Sequence, residues 1–159
     1  MYIISKFKNK CLCVTSSSSL ISYLFNNNYN ILSFLLLSTY FFSQLFWFNP
    51  IQYSLVHKID SIIAKTTISY FIIYTLTYKE LKFLLYYSYI LIVLNIIIMS
   101  YLSNIESTKE WCSDRHILYH GLLHIFCFIG SFYAFFNIIK NQYIFSINNP
   151  YIPIYNKYL

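Results

Sequence analysis

Residues 31–48 read ILSFLLLSTYFFSQLFWF, a stretch without a charged side chain, and Asn49-Pro50 follows it directly. A helix needs about 20 mostly apolar residues to cross the hydrocarbon core of a bilayer. Proline ends such a helix, because its ring removes the backbone N–H that the next turn would use. The stretch therefore predicts a membrane-spanning helix that ends near residue 48.

Three further stretches have the same character, at about 59–78, 81–103 and 116–139. Each is close to the length that a spanning helix requires. Of the 159 residues, 58% are hydrophobic and only 10% are charged, against about 25% charged in an ordinary soluble domain. The sequence therefore predicts an all-α fold, a polytopic transmembrane helical bundle with about four spans over residues 31–139.

The two ends of the chain differ from this bundle. Residues 1–30 have three lysines among the first ten residues and a run of four serines, so they are too polar to span and predict a basic, interfacial segment. Residues 140–159 contain two prolines and several tyrosines, and tyrosine favours the membrane surface. They predict an interfacial C-terminal tail, and no second domain is indicated.

The net charge of +6 does not indicate a nucleic-acid partner, because the basic residues are scattered among apolar spans and form no patch. Cytoplasmic loops of membrane proteins carry the excess of Lys and Arg. The count predicts an integral, multi-pass membrane protein with both termini cytoplasmic, and it leaves the host membrane open. The richer side holds Lys6, Lys8, Lys10, Lys79, Lys82, Lys140 and Lys157, and the other side holds Lys58, Lys109 and Arg115.

An acidic residue stands inside the second predicted span. The uncharged part of that span, residues 66–78, is too short to cross the membrane, so the helix must begin near Ile59 and include Asp60. An ionised group at the centre of a bilayer costs roughly 2.5–3.5 kcal/mol, which favours a functional role. The structural alternative is an aspartate near a helix N-terminus, where the helix dipole favours negative charge.

Three of the four histidines recur at every fourth position, at His116, His120 and His124. Residues at i and i+4 lie on the same face of a helix, so two such imidazoles can chelate one metal ion. Neutral imidazole is a good ligand for zinc. The structural alternative is a set of histidines that donate hydrogen bonds to other helices or face water at the membrane surface.

The order of the spans places these polar side chains at one depth. Ser43 lies near the end of the first span, Asp60 near the start of the second, and His116, His120 and His124 in the first turns of the fourth. Alternate spans cross the membrane in opposite directions. All of these residues therefore fall in the same leaflet, which predicts a shared site.

This arrangement resembles the CREST superfamily of membrane metal hydrolases, which includes the alkaline ceramidases and the adiponectin/progestin receptors. The resemblance rests on Ser43, on HKIDSIIAK at residues 57–65 and on HGLLHIFCFIG at residues 120–130. It implies a helical bundle around a zinc ion held by histidines, with a zinc-bound water that attacks an amide or ester bond of a membrane lipid.

Carried onto this chain, the resemblance implies His120 and His124 as zinc ligands. The family has a histidine four positions after its serine, where this chain has Trp47. Under the resemblance, His57 beside Asp60 is the candidate third ligand, and His116 is the alternative. Four spans in place of the family's seven indicate a reduced or degenerate member.

The resemblance also implies catalytic roles for Asp60, as the base that orients or deprotonates the water, and for Ser43, as a donor to the developing oxyanion. The expected partner is a membrane lipid, together with a second copy of the chain or another membrane protein that completes the cavity. The alternative function is a non-catalytic membrane scaffold or partner subunit with a degenerate metal site. A membrane cytochrome with paired histidines as haem ligands is the third hypothesis.

Overall fold

The structure is a computed structural model that describes residues 6–25 and 31–136. In this part of the chain the backbone is helical, with short connections and no strand-built sheet. The helices are α1 (Lys6–Ser16), α2 (Ser18–Leu24), α3 (Ile31–Phe48), α4 (Leu55–Tyr78), α5 (Phe83–Lys109) and α6 (Asp114–Phe136).

Four of these helices, α3 to α6, are long and apolar enough to cross a membrane. Their outward faces carry large apolar side chains, such as Phe48 at 85% exposure and Ile62 at 64%. In water such a surface would be unfavourable, whereas lipid tails match it. The predicted all-α bundle with four spans is confirmed. The helices α4 and α6 begin a few residues before their predicted starts, and α5 ends a few residues beyond its predicted end.

The helices α4 and α6 begin with the same local structure. Ser54 precedes α4, and its side chain accepts the backbone N–H of His57 at 3.1 Å. Ser113 precedes α6, and its side chain accepts the backbone N–H of His116 at 3.2 Å. A serine in this position satisfies one of the free N–H groups at a helix N-terminus. This cap is the reason why α4 starts at Leu55, four residues before the predicted span.

The N-terminal helices α1 and α2 pack along α3 and α6. The side chain of Thr15 contacts His124, and that of Ser22 contacts Ser131 at 2.7 Å. Both pairs are separated by 109 residues, so α1–α2 and α6 run in the same direction with a constant offset. The sequence predicted an interfacial position for residues 1–30 and did not predict these contacts with α6.

Two buried clusters lie at opposite ends of the bundle. One joins α1, the end of α3 and the start of α6 through Leu12, Phe46, Trp47 and Cys112. The other joins the start of α3, the middle of α4 and the end of α6. The first cluster therefore fixes the end of the bundle where α3 finishes and where α4 and α6 begin. The predicted tail 140–159 lies outside the described residues.

Candidate functional site

A cavity of about 690 Å³ lies inside the bundle and is lined by residues of α2 to α6 and the end of α1. Cavities of about 300–1,000 Å³ are the size of small-molecule sites. The predicted site residues all border this cavity, and His116 borders it as well. These lining residues are Ser43, His57, Asp60, His116, His120 and His124.

Ser43 and Asp60 are hydrogen-bonded to each other. The Ser43 hydroxyl donates to Oδ1 of Asp60 at 2.6 Å, and both residues are buried. A distance of about 2.5–2.7 Å is typical of a hydroxyl that donates to an ionised carboxylate. The single hydroxyl proton of Ser43 is therefore committed to Asp60, and it is not directed at a substrate oxygen in this arrangement.

His57 and His116 use the same ring nitrogen in the same way. Nδ1 of His57 accepts the backbone N–H of Tyr53 at 3.0 Å, and Nδ1 of His116 accepts the backbone N–H of Cys112 at 3.1 Å. Tyr53 and Cys112 have positive φ angles of 62° and 59°. In a neutral imidazole one nitrogen accepts and the other carries the proton, so both rings carry their proton on Nε2.

His120 and His124 bond instead to hydroxyl groups. Nδ1 of His120 lies 3.1 Å from the Ser103 hydroxyl of α5, and Nδ1 of His124 lies 3.0 Å from the Thr15 hydroxyl of α1. The Thr15 hydroxyl already donates to the Leu12 carbonyl at 3.2 Å, so it must accept from Nδ1–H of His124. The lone pair of His124 is therefore on Nε2.

Aromatic rings surround the histidines at this end of the cavity. The ring of Phe46 stacks on that of His57 at 4.7 Å, and Trp47 meets His120 edge to face at 4.9 Å. Trp47 also stacks on Trp111, with their centroids 6.3 Å apart. Both tryptophans line the cavity. Trp47, which occupies the position where the resembled family has a histidine, is thus a packed core residue with 1% exposure.

The described residues fit a three-histidine zinc site poorly. Within residues 6–25 and 31–136, no three His, Cys, Asp or Glu side chains are grouped so as to hold one metal ion. The Nδ1 lone pair of His57 accepts the backbone N–H of Tyr53 and is not directed at a metal ion in this arrangement. His120 and His124 are adjacent, with ring centroids 4.8 Å apart, and fit as a pair. Zinc binding by His120, His124 and His57 stays a prediction.

Several residues of the site were not predicted from the sequence. Thr15 and Ser103 orient the two histidines from other helices, and only the tertiary structure brings them together. The repeated pattern Ser-x-x-His, at Ser54–His57 and Ser113–His116, was visible in the sequence. Because serine caps a helix by accepting an N–H two or three residues later, this repeat could have assigned both histidines to helix starts.

No family model, curated protein or solved structure matches this chain.

Proposed function

We propose that the protein binds a membrane lipid in the cavity without hydrolysing it, and that it acts as a membrane scaffold or as a partner subunit with a degenerate metal site. One observation carries the proposal. The lone pairs of His57 and His116 are held by backbone N–H groups, so two of the four histidines are structural caps. Zinc sites use three or four protein ligands, and among the described residues no three such side chains are grouped around one position.

The lining of the cavity favours a lipid as the ligand. Asp60 and the histidines lie near the starts of α4 and α6, and hydroxyl groups such as those of Thr67 and Ser131 lie further along the cavity. Apolar side chains also line it, including Leu36, Phe71, Ile72, Leu123 and Phe128. A ligand with a polar end and a hydrocarbon chain matches both parts. The apolar outer surface of the bundle also supports a lipid ligand, because lipid tails match such a surface.

The test is the lipid content of the purified protein. Native mass spectrometry in a mild detergent should show a bound lipid on the wild-type chain. Ala64 lines the cavity, so Ala64→Phe places a bulky ring in it and should reduce the lipid-bound species. Ile62 lies on the same helix but is 64% exposed, so Ile62→Phe is the matched control. Equal lipid occupancy in both variants would refute the proposal.

A second candidate function is the zinc-dependent hydrolysis of a lipid amide or ester. It is favoured by the lone pair that Thr15 leaves on Nε2 of His124, in the same cavity as the bonded pair Ser43–Asp60. Such a site requires a ligand beyond His120 and His124. About one zinc per chain, lost in a His120→Ala/His124→Ala variant together with fatty-acid release from a lipid amide, would establish this function over the first.

The packing of α1 also bears on orientation. It begins at the end of the bundle where α4 and α6 begin, because Leu12 contacts Trp47 and Cys112 there. We propose that this end faces the cytoplasm, since basic residues favour that side. Within the described residues, the opposite end carries Lys79 and Lys82. The proposed cytoplasmic end carries Lys6, Lys8, Lys10, Lys58, Lys109 and Arg115.

This orientation keeps the N-terminus cytoplasmic, as the charge count predicted, but it departs from the predicted cytoplasmic C-terminus, because α6 ends at the opposite end of the bundle. The proposed orientation also differs for the candidate site. The charge count placed that site on the non-cytoplasmic side of the membrane, whereas this orientation places it on the cytoplasmic side. The difference arises because residues 1–30 were expected to stay at one surface, whereas α1 and α2 follow the length of α6.

A further inference from the structure

Two indole N–H groups in the cavity lining have no hydrogen-bond partner within the described residues. They belong to Trp47 and Trp111, and both Nε1 atoms are buried. Trp47 as a whole is only 1% exposed. A buried donor that bonds to nothing is unfavourable, and most buried polar groups in proteins are satisfied. The two N–H groups therefore indicate an acceptor that enters the cavity.

Two further donors stand beside these indoles. His57 and His116 carry their protons on Nε2, because their Nδ1 atoms accept backbone N–H groups. The ring centroid of Trp111 lies 5.2 Å from that of His57 and 4.9 Å from that of His116. The centroid of Trp47 lies 6.4 Å from that of His116. The four rings form one cluster, defined here as the N–H cluster, and each contributes an N–H.

The members of the N–H cluster are donors without a spare acceptor and without a net charge. Indole is a donor only, and each of the two neutral imidazoles has already used its lone pair. A group that matches them has acceptor lone pairs and no proton of its own. A carbonyl oxygen has two such lone pairs, whereas an amine or ammonium group would place donors against donors.

The charge of the surroundings separates a carbonyl from an anion. Asp60, three residues after His57 on α4, and Lys65, on the same helix, both line this cavity, so groups of both signs are already present. A further charge within the membrane would be costly. An uncharged acceptor satisfies the N–H groups without adding one.

We infer that the N–H cluster is the subsite for the acyl carbonyl of an uncharged lipid, an ester or an amide, whose hydrocarbon chain lies along the apolar part of the cavity. This inference rests on the proposed function, since it presupposes that a lipid occupies the cavity. It adds the chemical class of that lipid and the residues that select it.

The two tryptophans allow a direct test, because the chain has only these two. In a ¹⁵N-labelled sample in detergent micelles, the indole N–H groups give two signals, which Trp47→Phe and Trp111→Phe assign. A bromine-labelled acyl amide should shift both indole protons downfield, as expected for new hydrogen bonds. A bromoalkane of equal chain length lacks the carbonyl and should leave both signals near their original positions.

The same variants give the expected change in affinity. Phenylalanine keeps an aromatic ring but removes the indole N–H together with part of the ring, so packing changes as well. Each variant should bind the acyl amide about three- to tenfold more weakly relative to the bromoalkane, the range for one neutral hydrogen bond. The ratio of the two affinities separates a lost donor from a general change in packing. Phe48→Leu, at a position with 85% exposure, is the control and should keep the wild-type ratio.

The outcomes separate this inference from the proposed function. Tryptophan fluorescence that is quenched by both brominated ligands, with no downfield indole shift for the amide, would keep the lipid in the cavity and overturn the carbonyl subsite. Failure of both ligands to quench would overturn the proposed function together with the inference. Quenching by both, with indole shifts for the amide alone, is the expected result.

Discussion

The bond between Ser43 and Asp60 joins α3 to α4 inside the bundle, and its removal should have a measurable cost. Ser43→Ala deletes the hydroxyl that donates to Oδ1 of Asp60 at 2.6 Å and leaves a carboxylate that is 7% exposed. Hydrogen bonds to charged groups contribute about 1.5–3 kcal/mol, more than the roughly 0.6 kcal/mol average of bonds between membrane helices. We expect the free energy of unfolding to fall by about 2 kcal/mol.

The assay is unfolding in mixed detergent micelles, followed by helical circular dichroism. Asp60→Asn and the double variant Ser43→Ala/Asp60→Asn complete a cycle that isolates the pair, because the double variant no longer buries an orphaned carboxylate. Thr77→Val is the control, since the Thr77 hydroxyl donates to the Ile73 carbonyl of its own helix from an exposed position. A Ser43→Ala effect no larger than that of Thr77→Val, with no coupling in the cycle, would refute the reasoning.

Three further predictions concern the helix starts and the orientation. Ser54→Ala and Ser113→Ala should each lower the free energy of unfolding by about 1 kcal/mol, because each removes an N-cap, and chemical unfolding in micelles measures this. Tyr53→Gly should raise it by about 0.5–1 kcal/mol, because glycine tolerates the φ of 62° at this exposed position; an unchanged or lower stability would contradict this. A glycosylation acceptor on a long flexible insertion tests the orientation in endoplasmic reticulum membranes. It should be modified when inserted in the loop 79–82 and not when inserted in the loop 49–54. The reverse pattern would contradict the proposed orientation.

The spans could be predicted because their signal is local. A bilayer demands a minimum length of apolar helix, and Asn49-Pro50 marks an end that any structure must respect. The meeting of Ser43 with Asp60 followed from counting which leaflet each residue reaches, and the hydrogen bond between them agrees with that count. Which atoms bond could not be predicted, because spacing along a chain does not define rotamers.

The partners of the histidines could not be predicted from helix periodicity. His116, His120 and His124 share a spacing of four, yet they have different partners. His116 accepts the N–H of Cys112 in its own helix cap, whereas His120 and His124 contact hydroxyls on α5 and α1. A helix periodicity assigns residues to a face but does not say which neighbouring helix covers that face.

The sequence by itself determined the class of molecule, a four-span helical membrane protein, and the end of the bundle at which its polar side chains collect. Those properties depend on the composition and length of single segments, since a bilayer selects segments one at a time. The tertiary structure alone decided which ring nitrogen of His57, His116 and His124 has a free lone pair or proton, and that α1 and α2 run beside α6. These depend on contacts between residues more than a hundred positions apart or on the geometry of a helix cap, and a hydropathy pattern records neither.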